Sequence, residues 1–368
     1  MLGLMQDHPL LITSIFEHAT KNYSKQLIVS NTIEGGIHRY TYEQFGIRAQ
    51  KLANALKSID LNVGDRVGTL AWNGFRHLEI YYATSCSGLI CHTINPRLHP
   101  DQIAYIVNHA EDKILFVDIN ILPLIEKAAS NLKTVKAIVL MTDKRNMINC
   151  KLPDHISLIC FEEFIEHQLP DYSWPDLDEK TASSLCYTSG TTGNPKGVLY
   201  SHRSTVLHAY GINLKDAIPY GSKDAVLPVV PMFHVNAWGT PYAALMCGAK
   251  IVFPGHKLDG ESLTNLMNEE KVTISLGVPT IWLLLLNYLR GSGKRLETVK
   301  RLIIGGSACP RTLFEGFGEE YKVDVIHAWG MTEMSPIGTA NNPLFNMSPK
   351  NKEEFYNQKL PQGRTVFG

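Results

Sequence analysis

The chain has no excess of charge of either sign, because its 35 lysines and arginines are matched by 35 aspartates and glutamates. Nucleic acids and anionic membranes attract proteins through a surplus of positive charge. The composition therefore predicts no nucleic-acid partner, and we expect other partners to be recognised locally. Low-complexity segments and short-period repeats are also lacking, and 44% hydrophobic residues are typical of a folded globular protein.

Paired cysteine motifs and long apolar runs are absent as well. The seven cysteines are odd in number and show no C-x-x-C spacing, which argues against a disulfide framework or a zinc ribbon and favours a reducing cytoplasm. The first residues lack the basic segment and cleavage site of a secretory signal. The most apolar stretch, IWLLLL at 281–286, is far shorter than the ~20 residues that cross a bilayer. We predict a buried helix there and no transmembrane segment.

Short apolar runs alternate with helix-length segments along most of the 368 residues. Thr41 and Gln44 form a capping box followed by apolar residues at helical spacing, which predicts a helix near 42–58. The runs predicted as strands are 66–72, 89–94, 113–118, 135–141, 225–230, 250–253, 272–277, 299–306 and 323–330. Strands that alternate with helices form parallel sheets covered on both faces. We therefore predict an α/β fold with two similar βα-rich subdomains and mostly parallel sheets.

The two predicted subdomains cover residues 40–182 and 183–340, with a polar connector and a short strand near 142–182. Residues 341–368 are polar and end in GRTVFG without a helix stop or a closing element. We therefore expect the chain to end before the fold is complete.

The strongest chemical signal is the segment YTSGTTGNPKG at 187–197, between two apolar runs. Its glycines let backbone N–H groups approach an anion, its Ser and Thr hydroxyls can donate to phosphate oxygens, and Lys196 supplies a mobile positive charge. The segment therefore predicts a phosphate-binding loop. A flexible turn between two strands is the alternative.

The spacing within this loop excludes two common catalytic motifs. Gly190 and Gly193 lie three residues apart and Lys196 is followed by glycine, which differs from the G-x-x-x-x-G-K-[ST] of P-loop NTPases. The G-x-S-x-G elbow of serine hydrolases is missing around Ser189 and Ser307. The phosphate-binding interpretation therefore points to a class of protein other than these two.

Three blocks together resemble the signatures of the adenylate-forming superfamily, which includes acyl-CoA synthetases, luciferases and peptide-synthetase adenylation domains. These blocks are YTSGTTGNPKG at 187–197, GGSA at 305–308 and WGMTE at 329–333. Other segments are similar to bacterial medium- and long-chain fatty acyl-CoA ligases, namely HTINPRL at 92–98, PMFHVNAW at 231–238 and HAWG at 327–330. The order and spacing of the blocks match the superfamily, and the resemblance covers nearly the whole chain.

The resemblance implies a two-step reaction with ATP, Mg²⁺ and CoA. A fatty acid carboxylate attacks the α-phosphorus of ATP to give acyl-AMP and pyrophosphate, and the CoA thiol then displaces AMP. Repulsion between the carboxylate and the triphosphate is the main barrier, so cations and N–H donors are needed near the α-phosphate. The family pattern implies Lys196, Thr332 and Glu333 as catalytic residues. Glu333 would bind Mg²⁺ together with Thr188, and Thr332 would bond the α-phosphate.

The resemblance also implies where the nucleotide lies. The remaining loop residues expected to hold its phosphates are Ser189, Gly190, Thr191, Thr192 and Gly193. One side of the adenine slot would be formed by Gly306, Ser307 and Ala308. The other side would be formed by the backbone of His327 and Ala328 and by the ring of Trp329, for which a purely structural role is the alternative.

The implied acyl-binding residues are His234, Val235 and Trp238, in the segment that resembles the substrate gate of the family. Trp238 follows His234 by four residues, so on a helix the two rings would share one face. An indole that swings aside would couple nucleotide binding to entry of the fatty acid. A static tryptophan in the core is the alternative.

Other parts of the family pattern are not found in the sequence. Relatives continue after the position of Gly363 and Arg364 into a β-rich segment, so the resemblance implies that residues 341–368 are the start of such a segment, which is incomplete here. Further on, relatives carry an Asp that holds the ribose, a hinge and a small C-terminal domain with a Lys that reaches the α-phosphate. We therefore expect a large N-terminal portion of the enzyme that binds nucleotide and acyl chain but is catalytically deficient. A noncatalytic nucleotide- or lipid-binding protein, and a ligase that loads a carrier protein, remain alternatives. A homodimer is a hypothesis by analogy with relatives.

Overall fold

The computed structural model describes residues 1, 3–188, 193–344 and 348–367. Its helices are α1 Ile12–Asn22, α2 Tyr42–Lys57, α3 Phe75–Cys86, α4 Pro100–Ala110, α5 Leu122–Ala128, α6 Phe161–Glu166, α7 His202–Ile212, α8 Val235–Trp238, α9 Thr240–Met246, α10 Gly260–Glu269, α11 Pro279–Ser292, α12 Arg311–Glu315 and α13 Lys352–Lys359. Short 3₁₀ turns lie at Ile119–Ile121, Ala129–Asn131, Lys144–Asn146 and Thr332–Met334, and a π-helical turn lies at Gly316–Glu320.

Two sheets organise the molecule. The strands are β1 Leu27–Asn31, β2 Ile37–Thr41, β3 Arg66–Leu70, β4 Ile90–Thr93, β5 Ile114–Val117, β6 Ala137–Leu140, β7 Ser157–Cys160, β8 Ala182–Thr188, β9 Lys196–Ser201, β10 Ala225–Pro228, β11 Lys250–Phe253, β12 Ile274–Gly277, β13 Arg301–Ile304, β14 Asp324–Gly330, β15 Ile337–Ala340 and β16 Arg364–Thr365. The first sheet has the order β7-β6-β5-β3-β4-β8-β9, and the second has the order β16-β15-β14-β13-β12-β10-β11-β1-β2. Within each sheet the pairs are parallel except β8–β9, β1–β2, β14–β15 and β15–β16.

The helices form three layers around the sheets. One hydrophobic core joins residues of both sheets with α1, α2, α3, α7 and α9, so these helices lie between the sheets. A second core packs α10, α11 and α12 on the other face of the second sheet, and a third packs α4 and α5 on the other face of the first. The predicted α/β fold with mostly parallel sheets is therefore confirmed, and its layers have the order αβαβα.

Most predicted elements are present within two residues of their predicted ends. The capping box of α2 forms as expected, with Thr41 Oγ1 accepting from the N–H of Gln44 and Gln44 Oε1 accepting from the N–H of Thr41. The apolar run at 281–286 lies in α11, where Trp282 is fully buried. The β1–β2 hairpin was not predicted, and it contributes two strands to the edge of the second sheet.

The sheets divide the chain at a different place from the predicted boundary at 182/183. The strands β8 and β9, which lie in the predicted second subdomain, pair with β4 and complete the first sheet. The strands β1 and β2 precede the first sheet in sequence but pair with β11 of the second. The first sheet is therefore an insertion between strands of the second.

The tail beyond residue 340 contains a helix as well as a short strand. Asn351 caps α13 by accepting a hydrogen bond from the N–H of Glu354 at 2.8 Å, and Tyr356 is buried against the second sheet's outer core. The strand β16 pairs with β15. The resemblance implied the start of a β-rich segment here, and the described part of the tail holds the helix α13 before the strand β16.

All seven cysteines are free thiols, as the sequence predicted. Among the described residues, no helix combines the length and apolar character needed to cross a membrane.

Candidate active site

A cavity of about 440 Å³ lies between the two sheets at the carboxyl ends of β8, β13 and β14. The residues that line it are Thr188, Asn194, Lys196, Ile218, His234, Val235, Trp238, Gly305, Gly306, Ala328, Trp329, Gly330, Met331, Thr332, Glu333, Pro336 and Ile337. Parallel sheets commonly bind ligands at the carboxyl ends of their strands, because the connecting loops converge there. Ten of the residues singled out by the sequence meet at this cavity.

The stem of the predicted phosphate-binding loop is a β-hairpin. Thr188 ends β8 and pairs with Lys196 at the start of β9, where Thr188 Oγ1 donates to the carbonyl oxygen of Lys196 at 3.4 Å. Lys196 is exposed at the cavity wall. Gly193 has a positive φ of 136° and is exposed, but it does not line the cavity. The predicted residues Ser189, Gly190, Thr191 and Thr192 lie outside the described residues.

The turn that follows β14 also lines the cavity. Thr332 is buried at its start, whereas the carboxylate-bearing side chain of Glu333 is exposed to the cavity. The phenol of Tyr200 on β9 donates to the carbonyl oxygen of Thr332 at 2.6 Å. This bond ties the Thr332–Glu333 turn to the same hairpin that carries Lys196. Threonine, glutamate and lysine thus face one space, which can bind a polyphosphate and a cation.

Only some of the residues predicted to form the adenine slot line the cavity. Gly306 and Ala328 line the cavity, but Ser307 and Ala308 are exposed beyond it. His327 is buried behind the wall, where its Nδ1 donates to the carbonyl oxygen of Leu360 at 2.7 Å.

Two indole rings approach this slot. A Cβ added to Gly305 would lie 3.1 Å from Cη2 of Trp238, so the Trp238 ring lies directly over Gly305 and Gly306. The Trp329 ring covers Gly338, because a Cβ there would lie 2.6 Å from it. Trp329 is still 40% exposed at the cavity edge. The Trp238 ring thus borders the part of the cavity formed by Gly305 and Gly306.

The three predicted acyl-binding residues line the cavity, but their backbone is not the expected helix. Residues Val235–Trp238 form one left-handed turn, with φ between 49° and 55° at every position. The expectation that His234 and Trp238 share one face of a right-handed helix was wrong. Desolvation by the cavity wall lowers the pKa of His234, although part of its ring remains exposed.

The metal-binding potential of the site rests on oxygen ligands. Among the described residues, no group of three or more His, Cys, Asp or Glu side chains is placed to hold a metal ion. Glu333, which bears a carboxylate, and Thr188, which bears a hydroxyl, both line the cavity. Magnesium prefers oxygen and is commonly bound through one or two carboxylates plus phosphate oxygens. This donor set fits Mg²⁺ that arrives with a nucleotide.

Residues 15–366 match the family model of the AMP-binding enzymes. The chain belongs to this family. It is 50% identical to 3-methylmercaptopropionyl-CoA ligase of Ruegeria lacuscaerulensis, over 100% of this chain and 68% of the relative. It is 49% identical to medium-chain-fatty-acid–CoA ligase of Ectopseudomonas oleovorans, over 100% of this chain and 67% of the relative. In fold it is similar to the crystal structure of a long-chain-fatty-acid–CoA ligase from Archaeoglobus fulgidus, with a TM-score of 0.83 and 20% identity over 100% of this chain and 71% of that one. The chain is thus a homologue of acid–thiol ligases and spans about two thirds of their length.

Three residues of this AMP-binding protein contact the cavity-lining segments without having been predicted. Tyr200 holds Thr332, Asn236 anchors the left-handed turn, and His208 accepts a hydrogen bond from the N–H of Ile337 at 3.2 Å. Asn236 lies inside the segment 231–238 that the sequence singled out. For Tyr200 and His208 the sequence gives no comparable signal, because their roles depend on partners more than 120 residues away.

Proposed function

We propose that this chain binds ATP and a medium- or long-chain fatty acid for conversion to acyl-AMP and then to the CoA thioester. The observation that carries the proposal is the convergence of the hairpin, the Thr332–Glu333 turn and the Val235–Trp238 turn on one cavity. Membership of the AMP-binding family and the two acyl-CoA ligase relatives support it. The free cysteines support a reducing cytoplasm as its location.

In this proposal each side chain has a defined task. Lys196 and the loop before it hold the β- and γ-phosphates, and Thr332 bonds the α-phosphate. Glu333 and Thr188 hold Mg²⁺, which supplies positive charge against the negative charge that builds on the phosphates. These groups reduce the repulsion between the incoming carboxylate and the triphosphate, which is the main barrier to acyl-AMP formation.

The fatty acid lies on the apolar side of the cavity. Ile218, Val235 and Ile337 supply apolar wall there, beside the ring of Trp238. Each buried methylene of the chain contributes about 0.8 kcal/mol, so a longer chain gains affinity as far as the wall extends. The bond broken in the first step joins the α- and β-phosphates, and pyrophosphate leaves. In the second step the CoA sulfur bonds the acyl carbon and AMP leaves.

Binding of nucleotide tests the metal assignment. Glu333→Gln keeps the size of the side chain and removes its charge, so the affinity for ATP with Mg²⁺ should fall about tenfold, as for loss of a charge-assisted contact. Isothermal titration calorimetry measures this, with Glu353→Gln on the exposed first turn of α13 as the matched control. Equal affinity of both variants would favour a noncatalytic nucleotide-binding protein instead.

Product analysis tests the reaction itself. We propose that these 368 residues alone exchange pyrophosphate with ATP slowly or not at all in the presence of octanoate or palmitate, since the relatives are longer. Rapid exchange would contradict that part of the proposal and would support catalysis by this chain. Transfer of the acyl group to a carrier protein rather than to CoA would identify the chain as an acyl-AMP ligase.

A further inference from the structure

The hairpin that carries Lys196 also contains Tyr187, to which the proposed function gives no task. Tyr187 lies on β8 directly before Thr188, and its backbone pairs with Gly197 on β9. The next pair in the same hairpin joins Thr188 to Lys196, and both of these residues line the cavity. The placement of Tyr187 therefore influences the placement of Thr188 and Lys196.

The ring of Tyr187 lies across the backbone of Gly197. A Cβ added at Gly197 would be 3.3 Å from Cζ and 3.4 Å from Cε2 of that ring. Carbon atoms in ordinary contact are about 3.5–4.0 Å apart, so the absence of a side chain at Gly197 admits the ring at this point of β9. The contact places the phenol against the residue that follows Lys196 in the chain.

His109 fixes the hydroxyl end of the same ring. The phenol oxygen of Tyr187 lies 2.6 Å from Nδ1 of His109, which is on α4. Burial raises the pKa of Tyr187 to about 12, so the phenol keeps its proton and donates to the histidine. The helix α4 is itself anchored by Ile103, Ile106 and Val107 in the outer core of the first sheet. The hydrogen bond thus ties the stem of the hairpin to a helix that is held by other contacts.

A buried histidine–aspartate pair supports the Tyr187 ring as well. The ring of His92 packs against Tyr187, with centroids 5.1 Å apart. His92 lies on β4 beside β8, and its Nδ1 is 2.7 Å and 3.0 Å from the two carboxylate oxygens of Asp112. Both side chains of the pair are fully buried, so neither can reach a ligand in the cavity. The pair instead fixes the surface against which the Tyr187 ring rests.

We propose that Tyr187 is a positioning residue, held by His109 and His92, that sets where Lys196 and Thr188 meet the phosphates of the nucleotide. The inference rests on the proposed function of the cavity. Tyr187 is not among the described residues that line the cavity, so it acts through its neighbours rather than by touching the ligand. Its effect should therefore appear for a nucleotide whose β- and γ-phosphates reach Lys196, and not for AMP, which lacks them.

Isothermal titration calorimetry of the 368-residue chain measures the affinities for AMP and for the β,γ-imido analogue of ATP, each with Mg²⁺. In Tyr187→Phe the ring remains and the hydroxyl is lost. The affinity for the analogue should fall about fivefold, as for the loss of one hydrogen bond, and the affinity for AMP should stay within about twofold of wild type. Tyr210→Phe, which loses an exposed hydroxyl on α7, is the matched control and should change neither affinity.

Substitutions of His109 test the hydrogen bond from its other side. His109→Leu removes the acceptor and should lower the affinity for the analogue as far as Tyr187→Phe does. His109→Asn places an amide oxygen near the former Nδ1 and should restore most of that affinity. The double variant of Tyr187→Phe and His109→Leu should bind the analogue about as well as either single variant, because both substitutions remove the same bond.

Lys196→Met tests whether Tyr187 acts through Lys196. This substitution nearly keeps the length of the side chain and removes its charge. With Lys196→Met present, adding Tyr187→Phe should lower the affinity for the analogue by no more than about twofold, because the charge that Tyr187 positions is already gone. A further fivefold loss in that background would overturn the inference.

The outcomes separate the two proposals. Wild type that does not bind the analogue removes the proposed function and this inference with it. An affinity for the analogue that is unchanged in Tyr187→Phe overturns the inference alone, and so does an equal loss for AMP and the analogue, which would indicate a general structural role. If circular dichroism shows that Tyr187→Phe is unfolded, the variants of the exposed His109 replace it, and equal affinities for the analogue in His109→Leu and His109→Asn overturn the inference.

Discussion

At the scale of single residues, His208 shows how burial of a side chain makes the stability of the fold depend on pH. Desolvation lowers the pKa of His208 to about 3, whereas an unfolded histidine titrates near pH 6.5. Between these values the unfolded chain binds a proton that the folded chain does not. The stabilising contribution of neutral His208 is therefore complete above about pH 6.5 and is lost as the pH falls toward 3.

We expect His208→Gln to weaken the pH dependence of stability. The free energy of unfolding should decrease less steeply between pH 6 and pH 4, by up to about 1.4 kcal/mol per pH unit for one proton. Asp118 acts in the opposite sense, because burial raises its pKa to about 7 and favours the acid form in the folded chain. Urea unfolding at each pH gives the free energy of unfolding of the variant and of wild type, and the difference between the two isolates the contribution of His208. The exposed His167→Gln serves as control, and equal slopes for His208→Gln and wild type would contradict the prediction.

Tyr200→Phe removes the hydrogen bond to Thr332 and leaves that carbonyl oxygen without the phenol. The free energy of unfolding should decrease by about 1–2 kcal/mol, the usual effect of losing a buried hydrogen bond. The affinity for ATP with Mg²⁺ should fall severalfold, because the Thr332–Glu333 turn is then less fixed. Urea unfolding and calorimetry measure the two effects. The half-exposed Tyr210→Phe on α7 should change neither, and nucleotide affinity equal to wild type in Tyr200→Phe would disprove the positioning effect.

At the scale of elements, the start of α2 gives a prediction independent of the site. Thr41→Ala removes the hydroxyl that caps this helix and should lower the free energy of unfolding by about 1 kcal/mol. Thr41→Ser retains a hydroxyl and should restore most of the loss. Urea unfolding measures both, and nucleotide binding should not change. Equal stability of the alanine and serine variants would show that the cap contributes little here.

The elements also show what the sequence could predict. Strands such as β5 and β6 are continuous apolar runs bounded by polar residues, so their position was predictable from local pattern. The pairing of β1 with β11 was not predictable, because Ile28 and Ile251 are brought together only by the complete second sheet.

The left-handed backbone at Val235–Trp238 was not predictable from local sequence for a related reason. It depends on contacts of Asn236 with two other elements, and local sequence favours the right-handed form.

The residues of the candidate site could be predicted better than the positions they take in the structure. Ten predicted residues reach the cavity, because motifs that follow strands lie at the same edge of a parallel sheet. Ser307 and Ala308 do not, since the chain turns outward after Gly306. Sequence spacing gives the order of residues along the chain but not the direction in which a loop leaves a strand.

At the scale of the whole molecule, Asn73 links the two sheets. Its Nδ2 donates to the carbonyl oxygens of Pro228 and Val230, both at 2.8 Å, and its Oδ1 accepts from the N–H of Met232 at 2.6 Å. Pro228 ends β10 of the second sheet, while Asn73 follows β3 of the first. One buried side chain thus satisfies three backbone groups across the boundary.

Asn73→Ala should lower the free energy of unfolding by about 3 kcal/mol, the sum expected for three buried hydrogen bonds of about 1 kcal/mol each. It should also weaken nucleotide binding, since the hairpin lies on the first sheet and Glu333 on a turn of the second. Urea unfolding and calorimetry measure these effects, with Asn22→Ala on the exposed end of α1 as control. A decrease in the free energy of unfolding for Asn73→Ala that is no larger than the decrease for Asn22→Ala would mean that other contacts join the sheets.

The insertion of one sheet into the other also has a consequence for synthesis on the ribosome. The strands β1 and β2 emerge first, yet β1 lacks its parallel neighbour until β11 has been translated. Meanwhile β3 to β9 contain every strand of the seven-stranded sheet, so that unit can form while translation continues. The amino-terminal hairpin must therefore wait until β11 at Lys250–Phe253 has been synthesised before its parallel partner is present, and the nine-stranded sheet can form only after all strands of the seven-stranded one have been made.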